Sequence, residues 1–155
     1  MKLYLVRHGE AVPPEVDPAC PLSERGRTEV ERLAGFMRQA RIGVARVIHS
    51  GRLRARQTAE ILAAQIAPDA TLETSDMLDP GAPPQRFALQ VAGLDFDTLV
   101  VGHLPFMAKL VALLAIGRED QTIVNYPPGT VVCLEQSADG AWSIAWMMRP
   151  SLLDA

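Results

Sequence analysis

Short apolar strands that alternate with helix-like segments constrain this sequence more than any other feature. Residues 2–6 and 98–101 are almost wholly apolar, and residues 46–49 form a further short strand. Continuous apolar strands are typical of a parallel sheet that is buried on both faces. Between them, apolar residues recur three and four positions apart, which indicates amphipathic helices. The alternation predicts an α/β fold: a three-layer α/β/α sandwich around a mostly parallel sheet.

Local signals indicate where the remaining elements begin and end. Ser23 is a typical helix N-cap, and Pro105 fits the first turn of a later helix. Asp139 and Gly140 form a hairpin signal that predicts an antiparallel pair of strands at the sheet edge. With 155 residues, we expect the chain to form one domain over residues 1–155. The other predicted elements are helices at 53–67 and 87–92 and strands at 71–74, 130–136 and 142–148.

Charge and cysteine content exclude several classes of partner. The net charge of −3 and the pI near 5.6 argue against a general surface for nucleic acid or anionic membranes. The apolar run at the N-terminus is too short for a signal peptide or a membrane span. Cys20 and Cys133 lack the spacing of metal ligands, so we expect free thiols in a reducing compartment. These features predict a cytoplasmic protein with neither a nucleic-acid nor a membrane partner.

Polar residues follow three of the predicted strands directly. Residues 7–9 (Arg-His-Gly) follow the first strand, residues 50–54 the second, and residues 102–103 (Gly-His) a later one. Because parallel strands end at the same edge of a sheet, and ligands bind there in open α/β folds, these groups should converge. The sequence therefore predicts a site with two histidines and at least two arginines.

The chemistry of these groups suits a phosphoryl or sulfuryl dianion. Two guanidinium groups can bind such a dianion through bidentate, charge-assisted hydrogen bonds. A neutral imidazole beside them could attack phosphorus and carry the group as phosphohistidine. A second histidine, protonated near the dianion, could supply a further donor, and Gly9 allows the backbone to approach a ligand closely. This set needs neither a metal nor a cofactor.

Three motifs, at residues 7–10 (Arg-His-Gly-Glu), 50–59 and 100–105, together resemble the histidine phosphatase superfamily. The chain is similar to its short SixA-type phosphohistidine phosphatases nearly end to end, with a phosphoglycerate mutase-like fold. The resemblance implies that His8 is the nucleophile and that His103 completes the phosphoryl pocket. It also implies that Arg7 and Arg54 hold the phosphoryl group, because Arg54 precedes the alanine of the Arg-Ala-x-Gln-Thr-Ala pattern. On an ideal helix Arg52 and Arg56 lie on a different side from Arg54, so we expect both to be solvated.

Other candidate residues have simpler interpretations. Asp76 is the better candidate for a general acid, although a solvated loop carboxylate explains it as well, and Asp79 is interpreted as a turn residue. His49 is predicted to be packed or locally hydrogen-bonded. A metal site made of the three histidines is disfavoured because no two of them have the short spacing of a ligand pair. Glu10 is expected to orient its loop or to line the mouth of the pocket.

Three functions remain open at this point. The resemblance favours a phosphatase for phosphohistidine on a protein, such as a phosphorelay domain, and we expect a monomer. A phosphatase or mutase relative acting on small phosphomonoesters is the alternative, and a well-placed Asp76 would favour it. A catalytically silent phosphate-binding module is the third, against which the complete set of arginines and histidines argues.

Overall fold

The computed structural model describes residues 1–154, which form a six-stranded sheet flanked by four α-helices. In chain order the elements are β1 (Lys2–Arg7), α1 (Glu24–Gln39), β2 (Arg46–His49), α2 (Leu53–Ile66), β3 (Leu72–Thr74), a short 3-10 helix (Asp76–Leu78), α3 (Pro84–Ala92), β4 (Thr98–Gly102), α4 (Phe106–Ile116), β5 (Val131–Gln136), β6 (Trp142–Met148) and a second 3-10 helix (Pro150–Leu152).

The sheet combines a parallel part with an antiparallel hairpin. Its strand order is β3-β2-β4-β1-β5-β6. β3, β2, β4 and β1 pair in parallel, whereas β5 pairs antiparallel to both β1 and β6. The predicted α/β class, with a mostly parallel sheet and an antiparallel edge hairpin, is therefore confirmed.

Alternate residues of β1 pack into two separate cores, one on each face of the sheet. Tyr4 and Val6 belong to the core beneath α1 and α2, which includes Val30 and Leu62. Leu3 and Leu5 belong to the opposite core beneath α3 and α4, whose buried members include Phe87, Phe106 and Leu110. Successive side chains of a strand point to opposite faces, so the two cores establish the three-layer sandwich.

Most helix ends follow the predicted signals closely. The Ser23 hydroxyl accepts the Gly26 N–H at 3.0 Å and so caps α1, as predicted. α4 begins at Phe106, directly after Pro105, and is capped after Ile116 by Gly117, whose φ of 74° favours glycine. α3 begins at Pro84 rather than at residue 87, because proline needs no backbone donor in a first turn.

The register of the parallel strands brings their carboxyl ends together. Arg7 of β1 lies beside Gly102 of β4, and His49 of β2 lies beside Val101. The residues that follow these strands therefore meet at one edge of the sheet. Among residues 1–154, the helices are too short or too polar to cross a bilayer.

Candidate active site

A pocket lies at this edge of the sheet. The imidazole rings of His8 and His103 face each other there, with centroids 4.9 Å apart. The predicted convergence of the groups that follow the strands is thus confirmed, while the chemical roles of these residues remain predictions. Part of the pocket is lined by Arg7, His8, Glu10, Ala11, Val12, Pro13, Pro14, Cys20, Arg54 and Pro128.

His8 is buried, and one of its ring nitrogens is already bound. Its Nδ1 lies 2.7 Å from the carbonyl oxygen of Gly9. Because a carbonyl can only accept, Nδ1 carries the hydrogen and Nε2 keeps its lone pair. Burial lowers the pKa of His8 to about 4, with Arg54 and Arg7 adding to the shift and the Gly9 carbonyl opposing it. His8 is therefore neutral near pH 7, as a nitrogen nucleophile must be.

Arg7 is anchored by the segment that precedes β5. Its Nη1 donates to the Tyr126 carbonyl at 2.9 Å, and its backbone N–H donates to the Thr130 carbonyl at 3.0 Å. Its Nε is buried and has no hydrogen-bond partner within residues 1–154. Burial lowers the pKa of Arg7, although an arginine stays charged in proteins. The side chain is thus oriented by the protein and keeps a donor for an anion.

Thr58 connects the helix that carries Arg54 to the loop that carries His8. Its hydroxyl donates to the Arg54 carbonyl at 2.8 Å and accepts the Gly9 N–H at 3.0 Å. Thr58 is fully buried. The prediction from sequence missed this residue, although it lies inside the second motif. Its two bonds fix the distance between the first turn of α2 and the end of β1.

Gly9 is needed for close packing. A Cβ atom at Gly9 would lie 2.7 Å from Cγ2 of Val30 on α1, so no side chain fits without displacement. Its N–H is bound by Thr58 and its carbonyl by His8. These contacts favour a role for Gly9 in positioning His8. The predicted contact of Gly9 with substrate stays a prediction.

His103 is almost fully buried and is held by a serine. Its Nε2 lies 2.6 Å from Oγ of Ser50, while its Nδ1 is buried without a partner within residues 1–154. Burial, followed by the charges of His8 and of the arginines, lowers the pKa of His103 to about 3. The protein groups alone keep His103 neutral, because burial and the nearby positive charges both disfavour a further charge. Its protonation beside a bound dianion stays a prediction.

Arg52 and Arg56 are both exposed, but they differ in whether their charge acts on the site. Arg56 is exposed and forms an ion pair with Glu60 at 3.1 Å, as expected for a solvated residue. Arg52 is also exposed, but its charge lowers the pKa of both Arg54 and His103. Its exposure agrees with the expectation of a solvated residue, although Arg52 precedes α2 in an extended conformation and so lies outside the helix itself. Arg52 is therefore near enough to Arg54 and His103 for its charge to act on both.

Neither aspartate has contacts that identify it as an acid. Asp76 is exposed at the start of the first 3-10 helix. The Asp79 carbonyl accepts the Ala82 N–H at 2.9 Å, which confirms Asp79 as a turn residue. Its carboxylate lies 3.9 Å from Nε of Arg52. The possible role of Asp76 as a general acid remains a prediction.

Glu10 and His49 have local structural contacts. Glu10 accepts the Ser23 hydroxyl at 2.9 Å and lies 4.0 Å from Arg25, so it fixes its loop to α1 while lining the mouth of the pocket. The buried His49 accepts the Gly51 N–H on Nδ1 at 3.0 Å. Both observations agree with the predictions from sequence.

Comparisons with known proteins give consistent results. The model of the histidine phosphatase superfamily (branch 1) matches residues 3–79. Phosphohistidine phosphatase SixA of Escherichia coli (strain K12) is 26% identical over 155 residues, covering 97% of this chain and 94% of the relative. An uncharacterised protein of Picosynechococcus sp. is 31% identical over 126 residues, covering 76% of this chain and 75% of that protein.

Solved structures share the whole architecture. A structure of the protein histidine phosphatase SixA complexed with tungstate matches with a TM-score of 0.85 and 26% identity, covering 99% of this chain and 100% of that chain. The alpha-ribazole phosphatase of Shigella flexneri matches with a TM-score of 0.76 and 15% identity, covering 97% of each chain. At that lower identity, the likeness concerns the fold alone.

Proposed function

Because the chain belongs to the histidine phosphatase superfamily, we propose that it is a phosphatase that hydrolyses phosphohistidine on a protein, with His8 as covalent nucleophile. The observation that carries the proposal is the 2.7 Å contact between Nδ1 of His8 and the Gly9 carbonyl. It leaves the lone pair of Nε2 available beside two arginines and a second histidine. A nucleophile with its tautomer fixed in this way is prepared for attack.

The proposed reaction has two displacements at phosphorus. Nε2 of His8 forms a bond to phosphorus while the bond between phosphorus and the substrate nitrogen breaks. If the other ring nitrogen of the substrate carries a hydrogen, its imidazole leaves as a neutral ring. Water then attacks the phosphoryl group on His8, the bond to Nε2 breaks, and a proton of the water passes to a phosphoryl oxygen, so that inorganic phosphate leaves. His8 returns to the tautomer with hydrogen on Nδ1.

Charge on the transferred group would be stabilised by Arg7, Arg54 and His103. In phosphoryl transfer the protein acts mainly by positioning and by stabilising charge on the equatorial oxygens. Arg7 offers its unpaired Nε, and His103 its unpaired Nδ1. Burial lowers the pKa of both arginines, which indicates a partly dehydrated site where hydrogen bonds to an anion are stronger than in water.

Two observations support a protein as the substrate. The relative similar over nearly the whole chain is named a phosphohistidine phosphatase, and a protein-bound phosphohistidine, such as that of a phosphorelay domain, fits this name. The mouth of the pocket is lined by Pro13, Pro14 and Pro128, and Val16 nearby in the chain is 74% exposed. An open, apolar rim of this kind suits contact with another protein surface.

A comparison of substrates tests this proposal. Phosphate release is measured from a phosphohistidine-carrying protein domain and from a panel of small phosphate monoesters, with His8→Gln as the inactive control. We expect kcat/KM for the protein to exceed that for every monoester by at least about tenfold, a difference of about 1.4 kcal/mol in transition-state binding. Faster turnover of a monoester would favour the small-molecule alternative and would support Asp76 as its general acid.

Trapping the intermediate separates an enzyme from a silent binding module. The protein is mixed with a labelled phosphoryl donor, quenched in base and analysed by mass under denaturing conditions. We expect one phosphoryl group on the peptide that contains His8, lost on mild acid treatment because a phosphorus–nitrogen bond is acid-labile. Inability to trap any phosphorylated protein, together with no phosphate release, would favour the silent module.

A further inference from the structure

Ser50 contacts the second histidine of the site directly. It follows β2 and is 7% exposed. Its hydroxyl oxygen has two polar neighbours within residues 1–154: Nε2 of His103 at 2.6 Å and the backbone N–H of Arg52 at 3.3 Å. A buried side chain with a contact this short restricts how the imidazole ring can rotate.

Counting donors and acceptors decides the direction of this hydrogen bond. The Arg52 N–H can only donate, so Oγ of Ser50 accepts it. The hydroxyl has one hydrogen to donate, and Nε2 of His103 is its acceptor within residues 1–154. If Nε2 carried its own hydrogen instead, the hydroxyl hydrogen would be buried without an acceptor, which is unfavourable. A neutral ring that accepts on Nε2 must carry its hydrogen on Nδ1.

We propose that Ser50 is a positioning residue, which donates to Nε2 of His103 and so holds the neutral ring with a hydrogen on Nδ1 for the oxygens of a phosphoryl group. Nδ1 is buried without a partner within residues 1–154, as a donor reserved for a ligand would be. This inference rests on the proposed function only in identifying the ligand as a phosphoryl group. His103 then donates to the group without first being protonated.

The two histidines consequently have opposite roles because their partners differ in chemistry. An acceptor, the Gly9 carbonyl, binds Nδ1 of His8 and leaves a lone pair free on Nε2. A donor, the Ser50 hydroxyl, binds Nε2 of His103 and leaves a hydrogen free on Nδ1. Both rings have the same tautomer, yet one presents a nucleophile and the other a hydrogen-bond donor.

Nitrogen NMR of the wild-type protein tests the tautomer without any turnover. The chain has three histidines, so spectra of His8→Gln and His49→Gln assign the signals of His103 by elimination. Above pH 7, we expect Nδ1 of His103 to be protonated and Nε2 to be unprotonated and hydrogen-bonded. Hydrogen on Nε2 would overturn the proposal. If the tautomer is as expected but no phosphohistidine is hydrolysed, only the proposed function has failed.

Kinetics of Ser50→Ala and Ser75→Ala separate positioning from simple turn capping. Ser75 follows β3 as Ser50 follows β2, and its hydroxyl likewise accepts a backbone N–H two residues on, that of Met77 at 3.3 Å. Ser50→Ala should lower kcat by about tenfold or more with little change in KM, since a misplaced donor is felt mainly in the transition state. Ser75→Ala should keep wild-type kcat. Ser50→Thr, which keeps a hydroxyl, should recover part of the loss.

Equal kcat values for Ser50→Ala and Ser75→Ala would overturn the proposal, because both variants lose the same bond to the backbone. Equal recovery by Ser50→Thr and Ser50→Val would do the same, since valine has the shape of threonine without a hydroxyl. If Ser50→Ala does not fold, the wild-type spectrum alone decides which nitrogen of His103 carries the hydrogen.

Discussion

At the scale of single residues, the site separates the proposed nucleophile from the groups proposed to bind charge. His8 is neutral because burial lowers its pKa to about 4. The Arg7 guanidinium beside it is held by the Tyr126 carbonyl. An anion that enters would meet positive charge without displacing a protein carboxylate from either arginine, since neither Arg7 nor Arg54 has an ion pair within residues 1–154.

Replacing the proposed nucleophile should abolish turnover and keep the fold. We expect His8→Ala to lose on the order of 10⁴-fold in kcat, because removal of a nucleophile typically costs several orders of magnitude. Circular dichroism and thermal unfolding should show a folded protein, since Leu3, Leu5 and Val6 still fill both cores. His49→Gln is the control, because a glutamine oxygen can also accept the Gly51 N–H, and its rate should match the wild type.

The choice of Arg54 over its neighbour is also testable. Arg54→Lys should lower kcat by about 10²-fold or more, although the charge is kept, because lysine cannot reproduce the two parallel donors of a guanidinium. Arg56→Lys should remain within about twofold of the wild type, since its exposed pair with Glu60 contributes little. Equal losses in steady-state assays of the two variants would mean that Arg54 is not the phosphoryl-binding residue.

The sequence predicts the reactive residues better than the residues that hold them. Arg7, His8 and His103 follow apolar strands, and the convergence of strand ends requires only the pattern of the chain. Ser50 also follows a strand, so the same argument could have selected it. The Tyr126 carbonyl that binds Arg7 lies 119 positions away along the chain. No periodicity predicts such a contact, because it depends on the path of the segment between α4 and β5.

At the scale of elements, α1 and α2 hold the loop that follows β1 from two sides. The Ser23 N–H at the start of α1 donates to the Glu10 carbonyl at 2.9 Å. From α2, Oε1 of Gln57 accepts the Leu22 N–H at 2.8 Å, and Thr58 accepts the Gly9 N–H. The loop is thus fixed by hydrogen bonds from helices that are themselves packed on the sheet. Spacing along the sequence predicted these helices but not their contacts with the loop.

Two glycines of α1 should respond oppositely to alanine. A Cβ atom at Gly26 would lie 2.1 Å from the Glu10 carbonyl oxygen, so Gly26→Ala must displace the active-site loop or the helix. We expect a loss of about 2 kcal/mol in the free energy of unfolding, in the range for overpacked sites, and reduced activity.

Gly35→Ala is the matched control. A Cβ atom at Gly35 would have no neighbour within 4 Å, so this variant should raise the free energy of unfolding by about 0.5–1 kcal/mol. Urea unfolding of both variants measures this, and a stable, fully active Gly26→Ala would contradict the close approach of α1 to the loop.

At the scale of the whole molecule, the histidines and arginines of the candidate site lie together at one edge of the sheet, where they are partly shielded from water. β1, β2 and β4 are central strands, buried on both faces by the helices. The groups at their ends are therefore partly buried too, and burial is the first cause of the lowered pKa of both His8 and His103. The stability of the fold and the protonation state of the site are consequently linked.

This link predicts that acid destabilises the protein through the two histidines of the candidate site. Their pKa values fall from 6.5 in an ordinary environment to about 4 for His8 and about 3 for His103, so between pH 6.5 and 4 the unfolded chain binds more protons than the folded one. Stability is therefore complete above pH 6.5 and falls as the pH is lowered towards the folded-state values. Each histidine can lower the free energy of unfolding by up to about 1.4 kcal/mol per pH unit, or by about 2 kcal/mol at pH 5.

Unfolding by guanidinium at pH 7.5 and pH 5 tests this prediction. The free energy of unfolding should fall less between the two pH values for the double variant His8→Gln/His103→Gln than for the wild type. At pH 5 most carboxylates are still ionised, so an equal loss in both proteins would show that these two histidines are not the groups that acid protonates on unfolding.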